Sequence, residues 1–165
     1  MTSLEKAKEL KEKEQFEESI AILEELYKTN PNEDVKRALI ETLFAYGAYL
    51  NDIYVVKYQK AVECFKRIIE LDPSNYRAYY NLGIAFTNLE DYDLALESCN
   101  KALEIKPDYK HCFYNIGLIY ELKEEFNRAL DYYEKSLDLD PNFTYAAQAV
   151  HHIREIIDSK RRNKI

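Results

Sequence analysis

Apolar and polar positions follow a helical beat over most of this chain. Between Asn75 and Asn88, residues Tyr79, Leu82, Ala85 and Phe86, continued by Leu89, fall three and four apart. That is the spacing of a helix with one buried face. A second run follows, through Tyr92, Leu94, Ala95, Cys99, Ala102, Leu103 and Ile105, and stops at Pro107. Asp91, between the two, is placed to cap the second helix, its carboxylate accepting from the free amides of the first turn. The pattern predicts antiparallel helices joined by a short turn. Gly83 and Ala95 are small where such helices approach each other, with aromatic residues beside them.

The same features return at fixed intervals. Pro31, Pro73, Pro107 and Pro141 are separated by 42, 34 and 34 residues, and each closes an amphipathic run. Proline has no backbone donor and clashes with the preceding turn, so it ends a helix. Ala61, Ala95 and Ala129 are 34 apart, as are Tyr58, Tyr92 and Phe126, and so are Gly83 and Gly117. Tyr79 matches Phe113, Leu82 matches Ile116, and Phe86 matches Tyr120. Recurrence in phase marks one structural unit repeated along the chain. A lone helix pair is too small to bury its own apolar face, so it needs neighbours stacked against it.

The pattern Tyr79, Leu82-Gly83, Phe86, Ala95, Ala102, Pro107 resembles the tetratricopeptide repeat, a helix–turn–helix of 34 residues. Phe113, Ile116-Gly117, Tyr120, Ala129, Ser136 and Pro141 repeat it. The preceding unit carries Tyr58, Ala61, Phe65 and Ile68 with eight extra residues in its first half, and the opening unit carries Phe16, Ser19, Leu23 and Leu26. The resemblance implies an all-α, right-handed α-solenoid with four helix pairs, over about 1–32, 33–74, 75–108 and 109–142. A capping helix over 143–159 completes a single domain (1–159), and a basic tail follows at 160–165. Thr2 and Glu5 have the spacing of a capping box at the first helix.

In such a stack the first helix of each unit lines an inner groove. The residues expected there are Arg77, Tyr80, Asn81, Ile84 and Asn88, then His111, Tyr114, Asn115, Leu118 and Glu121, then Tyr145, Gln148 and His152. Tyrosines interleaved with amides suit an extended peptide or a partner helix. The expected function is a non-enzymatic adaptor for a protein or peptide partner. Relatives in this family that hold acidic chaperone tails use a carboxylate clamp of Lys, Asn and Arg. Its positions here fall on Leu4, Lys8, Leu39, Arg77 and Asn81, or one unit later on Ala38, Thr42, Asn81, His111 and Asn115. One unit later again they fall on Tyr80, Ile84, Asn115, Tyr145 and Ala149, and the basic pair is missing in every register. The eight-residue excess, around Tyr49, Leu50, Ile53, Tyr54, Val55 and Val56, reads as two lengthened helices packed on each other. The alternatives are a loop at Asn51-Asp52, or an exposed apolar edge that meets a partner or a second copy in a self-associating scaffold.

Composition narrows the function classes. The chain has 165 residues, 32% charged, with a net charge of −7. It contains no run of about 20 apolar residues such as a membrane span needs, and its charged start does not read as a signal peptide. Helical repeats that read RNA need a basic groove, so the acid balance argues against nucleic acid. The basic tail reads as a frayed, solvated end, with a nuclear address or an electrostatic contact as the alternatives. Cys64, Cys99 and Cys112 form no Cys-x-x-Cys pair, which points to free thiols and a cytoplasmic location, or a nuclear one. No phosphate loop, His-Glu-x-x-His or Gly-x-Ser-x-Gly motif is present, so no catalysis, cofactor or metal is expected. His151 and His152 diverge by about 100° on a helix, and His152 with Glu155 reads as a solvated pair.

Overall fold

The computed structural model describes residues 2–52 and 54–162. Among them the chain forms nine helices: α1 Ser3–Glu12, α2 Phe16–Thr29, α3 Glu33–Leu50, α4 Tyr58–Leu71, α5 Tyr76–Asn88, α6 Tyr92–Ile105, α7 Lys110–Leu122, α8 Phe126–Leu139 and α9 Thr144–Arg162. No strand occurs among the described residues.

Each proline acts as the sequence predicts. The helices α2, α4, α6 and α8 end two residues before Pro31, Pro73, Pro107 and Pro141. The residues directly before those prolines, Asn30, Asp72, Lys106 and Asp140, have φ of −145, −144, −131 and −147°. That is the extended backbone which the proline ring imposes on its predecessor. Within a pair, the turn relies on one left-handed residue. Glu14, Glu90 and Glu124 have φ of 59, 61 and 58°. The next amide donates to the carbonyl five residues back, Gln15 to Leu10, Asp91 to Phe86 and Glu125 to Tyr120, at 2.8–2.9 Å. The expected side-chain cap by Asp91 is corrected here: its carboxylate makes no cap bond, because the backbone turn already directs the chain into α6. The capping box at Thr2 and Glu5 is present in full.

The units lock through small residues on the first helix. A Cβ added at Gly83 would sit 2.8 Å from Cys99 Sγ, and one added at Gly117 would sit 2.6 Å from the Tyr133 ring. Gly47 makes the same approach, 2.8 Å from the Phe65 ring. Phe65, Cys99 and Tyr133 are 34 apart, so the three glycines hold one structural position. Ala7 takes that place in α1, where Ser19 donates to its carbonyl at 2.7 Å. Ala61, Ala95 and Ala129 are fully buried beside these contacts.

Gly47 reveals where the excess goes. Pro31 to Gly47 spans 16 residues where Pro73 to Gly83 spans 10, and Gly47 to Ala61 spans 14 where Gly83 to Ala95 spans 12. Most of the addition lengthens the start of α3, which has 18 residues against 13 in α5 and α7. The expectation of two lengthened helices is therefore corrected. Helix α4 keeps the 14 residues of α6 and α8, and the remainder widens the connection after Leu50. Val56 takes the left-handed place of Glu14, Glu90 and Glu124, with φ 53°. Ile53 lies outside the described residues. At the other end, α9 runs on through Arg162, past the helix end expected near 159. The rest of the tail, 163–165, lies outside the described residues.

Second helices pack on the next unit's first helix, α2 on α3, α4 on α5, α6 on α7 and α8 on α9. First helices also approach each other directly, α1 with α3 and α5 with α7. Second helices are bridged by long side chains: Arg67 grips Glu24 through two bonds of 2.8 Å, and Lys60 reaches Glu17 at 3.0 Å. A stack that is closer on one side bends toward that side, which sets the first helices on the inner wall of the solenoid.

Candidate functional site: an aromatic strip on the first helices

The predicted groove residues fall into three exposure groups. Arg77, Asn88, Gln148 and His152 are exposed, and Tyr145 retains 66% of its surface. Tyr80, Asn81, Ile84, His111, Tyr114, Leu118 and Glu121 are half-buried. Asn115 is more covered than the rest, with only 8% of it exposed. Asn81, at the equivalent position of α5, is half-buried. Asn81 donates to the Arg77 carbonyl at 2.7 Å, and so has one amide hydrogen engaged within its own helix.

Rings from three successive units meet in one strip. Tyr80 lies 5.1 Å from Tyr109, Tyr109 lies 5.2 Å from His111, and His111 lies 5.1 Å from Phe143. Phe143 then touches Tyr114 at 5.5 Å and Tyr145 at 5.8 Å, while Tyr76 meets Tyr109 at 5.0 Å. Most of these pairs are edge-on or tilted, the geometry that ring quadrupoles favour. Tyr76, Tyr109 and Phe143 were not among the residues predicted from the sequence. They sit at helix starts and in the connections between units, outside the helical spacing used to pick the groove. The 34-residue interval from Tyr109 to Phe143 was the available signal.

Burial sets the charge state of the strip. It pushes the Tyr80, Tyr109 and Tyr114 hydroxyls above the ordinary tyrosine range, so all three stay protonated. It also pulls His111 below the usual imidazole value, helped by the neighbouring Lys110. The flanking cations are engaged: Lys110 pairs with Asp140 and stands 4.9 Å over the Phe143 ring. Lys106 pairs with Asp108 at 3.1 Å and stands 5.7 Å over Tyr76. At the far end Glu121 accepts from the Tyr133 hydroxyl at 2.6 Å and lies 3.8 Å from His152. The expected pairing of His152 with Glu155 is thus replaced, and His151 faces Glu155 instead, at 3.6 Å.

The α3 register also changes the clamp positions. Ala38, Leu39 and Thr42 are core residues, and with Gly47 matched to Gly83 the groove counterparts become Phe44, Ala45 and Ala48. None of these carries a cation or an amide. Elsewhere, a cleft of 470 Å³ lies between the α7–α8 turn and the end of α9, where Arg128 pairs with Glu125 at 2.8 Å and Lys160 stands 4.1 Å over the Phe126 ring. No group of three or more His, Cys, Asp and Glu able to hold a metal occurs among the described residues. No described helix is long and apolar enough to cross a membrane.

Stacked helical hairpins with an exposed aromatic inner face define a repeat scaffold for protein interaction. A family model described as tetratricopeptide repeat matches residues 76–109 and 112–143, and one described as TPR repeat matches 57–90. Together they span more than half of the chain, and it belongs to the tetratricopeptide repeat family, whose members serve as protein-interaction modules. A crystal structure of MamA is similar at 27% identity, covering 90% of this chain and 82% of that one, with a TM-score of 0.70. The first TPR of Spaghetti (RPAP3), bound to HSP90 peptide SRMEEVD, is similar at 23% identity over 72% of this chain and 93% of that one, TM-score 0.65. The Sgt2 TPR domain from Aspergillus fumigatus matches at 18% identity over 74% and 82%, TM-score 0.67. The last two likenesses concern the fold. No curated protein matches the chain.

Proposed function

We propose that this chain is a non-enzymatic adaptor that holds a segment of a partner protein along the inner face of its first helices, with residues 1–159 acting as one binding domain. The observation that carries this reading is the continuous strip of partly exposed rings on α5, α7, α9 and the connections that precede α7 and α9. Tyrosine offers large contact area at small entropy cost and keeps a hydroxyl for bonding. The RPAP3 domain bound to an HSP90 peptide supports peptide binding by this fold, but the clamp positions here carry Phe44, Ala45 and Ala48, which disfavours an acidic chaperone tail. The three buried free cysteines fit a reducing compartment, the cytoplasm or nucleus.

Selection of random displayed peptides against the intact protein tests this reading. It should return peptides whose binding falls at least tenfold in the double variant Tyr80→Ala, Tyr114→Ala. The pair Tyr145→Ala, Gln148→Ala, on more exposed positions, repeats the test at lower folding risk. An empty selection, or undiminished capture by well-folded variants, removes the proposal.

One observation favours a second reading, self-association through the widened unit. Tyr49, Tyr54 and Val56 are 49, 88 and 57% exposed, beside a connection tied to α5 by the Asn88–Asn51 bond of 3.0 Å. Sedimentation of the wild type and of Tyr54→Ser should then differ in mass. A monomer in both cases ends that reading.

A further inference from the structure

We propose that the segment held by the aromatic strip is an uncharged, proline-rich one in the polyproline II conformation. The inference rests on the groove reading above and specifies the chemistry of its occupant. Three properties of the strip point the same way.

Hydrogen bonding is the first. Tyr46, Tyr120 and Tyr133 use their hydroxyls within the protein, on Glu17, Arg128 and Glu121. The hydroxyls of Tyr76, Tyr80, Tyr109, Tyr114 and Tyr145 engage no other described residue. Those with raised pKa remain donors at neutral pH. The strip therefore offers protonated phenols to whatever lies along it. A polyproline II segment makes no internal hydrogen bonds, and its prolines have no N–H to donate. Its carbonyls are left as acceptors alone, which matches a row of phenol donors. A helix spends its carbonyls on its own amides and leaves few for the phenols, and a strand brings amide hydrogens that must also find partners.

Charge is the second property. Lys110 and Lys106 are neutralised by Asp140 and Asp108, and His111 is held neutral. Along the rings the two lysines are spent on their carboxylates, and the exposed cation Arg77 stands at one edge, 5.8 Å over the Phe44 ring; an uncharged ligand leaves both ion pairs intact. The neutralised lysines beside Tyr76 and Phe143 thus favour an uncharged segment over the rings themselves.

Spacing is the third. Tyr109 and Phe143 hold the same place in successive units and lie two ring steps apart, of 5.2 and 5.1 Å. Their centroids can be separated by no more than about 10 Å. One polyproline II turn, three residues at 3.1 Å each, is about 9 Å. Stacked helices sit about 8–10 Å apart, so each unit can offer a ring face to each turn of the ligand. Proline-rich segments dock on aromatic-lined grooves by this means in unrelated folds, helped by the low entropy of the preformed helix.

The test uses a fluorescein-labelled nonaproline peptide titrated with the intact chain, with a Gly-Ser peptide of equal length and an acidic nonapeptide as controls. Saturable binding at micromolar protein is expected for nonaproline, at least tenfold tighter than for either control. Tyr109→Phe, which retains the ring, should weaken it about three- to tenfold by removing a donor, and Tyr145→Ala should weaken it further, both at unchanged helical circular dichroism. Nonaproline binding no tighter than the Gly-Ser control overturns the inference, as does binding indifferent to both substitutions. If displayed peptides bind the groove but nonaproline does not, the groove stands and its occupant is of another chemistry. If neither binds, the groove reading fails as well.

Discussion

Val56 is a β-branched residue in left-handed backbone, a conformation that its equivalents Glu14, Glu90 and Glu124 adopt with unbranched side chains. Branching at Cβ makes that region costly, and the side chain is 57% exposed, so it buries little in return. Val56→Gly or Val56→Asn should stabilise the protein by about 1 kcal/mol, read as a rise in the chemical denaturation midpoint. An unchanged or lower midpoint would mean that the side chain anchors the connection. The opposite case is Gly117, where closeness alone excludes a side chain. The Tyr133 ring against it is fully buried and pinned to Glu121 at 2.6 Å. A repeated glycine is plain in the sequence, but its partner is not, because that partner is aromatic in one unit and a thiol in the next.

At the level of the element, the start of α7 carries the one pH-sensitive group of the strip for which geometry and charge agree. His111 packs on Tyr80, Tyr109 and Phe143, follows Lys110, and faces Asp140 across the connection to α9. Burial and Lys110 lower its pKa in the folded state below the ordinary value of about 6.5. The unfolded chain therefore binds a proton more readily, and stability falls as pH drops through about 6.5 toward the folded value. Asp140 and Asp72 are held low, chiefly by Lys110 and Ser74, so their contribution persists until the pH falls below about 4. The wild type should lose thermal stability between pH 7 and pH 5.5, and His111→Asn should lose much less. Equal losses in the two proteins would assign the effect elsewhere. Helix limits were readable to within a few residues from proline, glycine and apolar spacing. The division of the second unit's excess was not, because the local pattern fits a longer helix on either side of the turn.

For the whole molecule, each hairpin leans on its neighbours, and α9 closes the array by burying Ala146, Val150 and Ile153. Nearest-neighbour stacking predicts a graded response to its loss. A chain ending at Asn142 should show faster amide exchange in α7 and α8 and near-normal protection in α1 and α2. Uniform loosening along the chain would contradict that picture.

Period, helix type and the small-residue contacts were written in the residue order, because each depends on neighbours three, four or 34 positions away. Asn115 went under cover, α3 gained its length at the start, and Tyr76, Tyr109 and Phe143 joined the strip through packing between units. Such outcomes depend on how deeply one hairpin covers the next, a distance that no periodicity along a chain can measure.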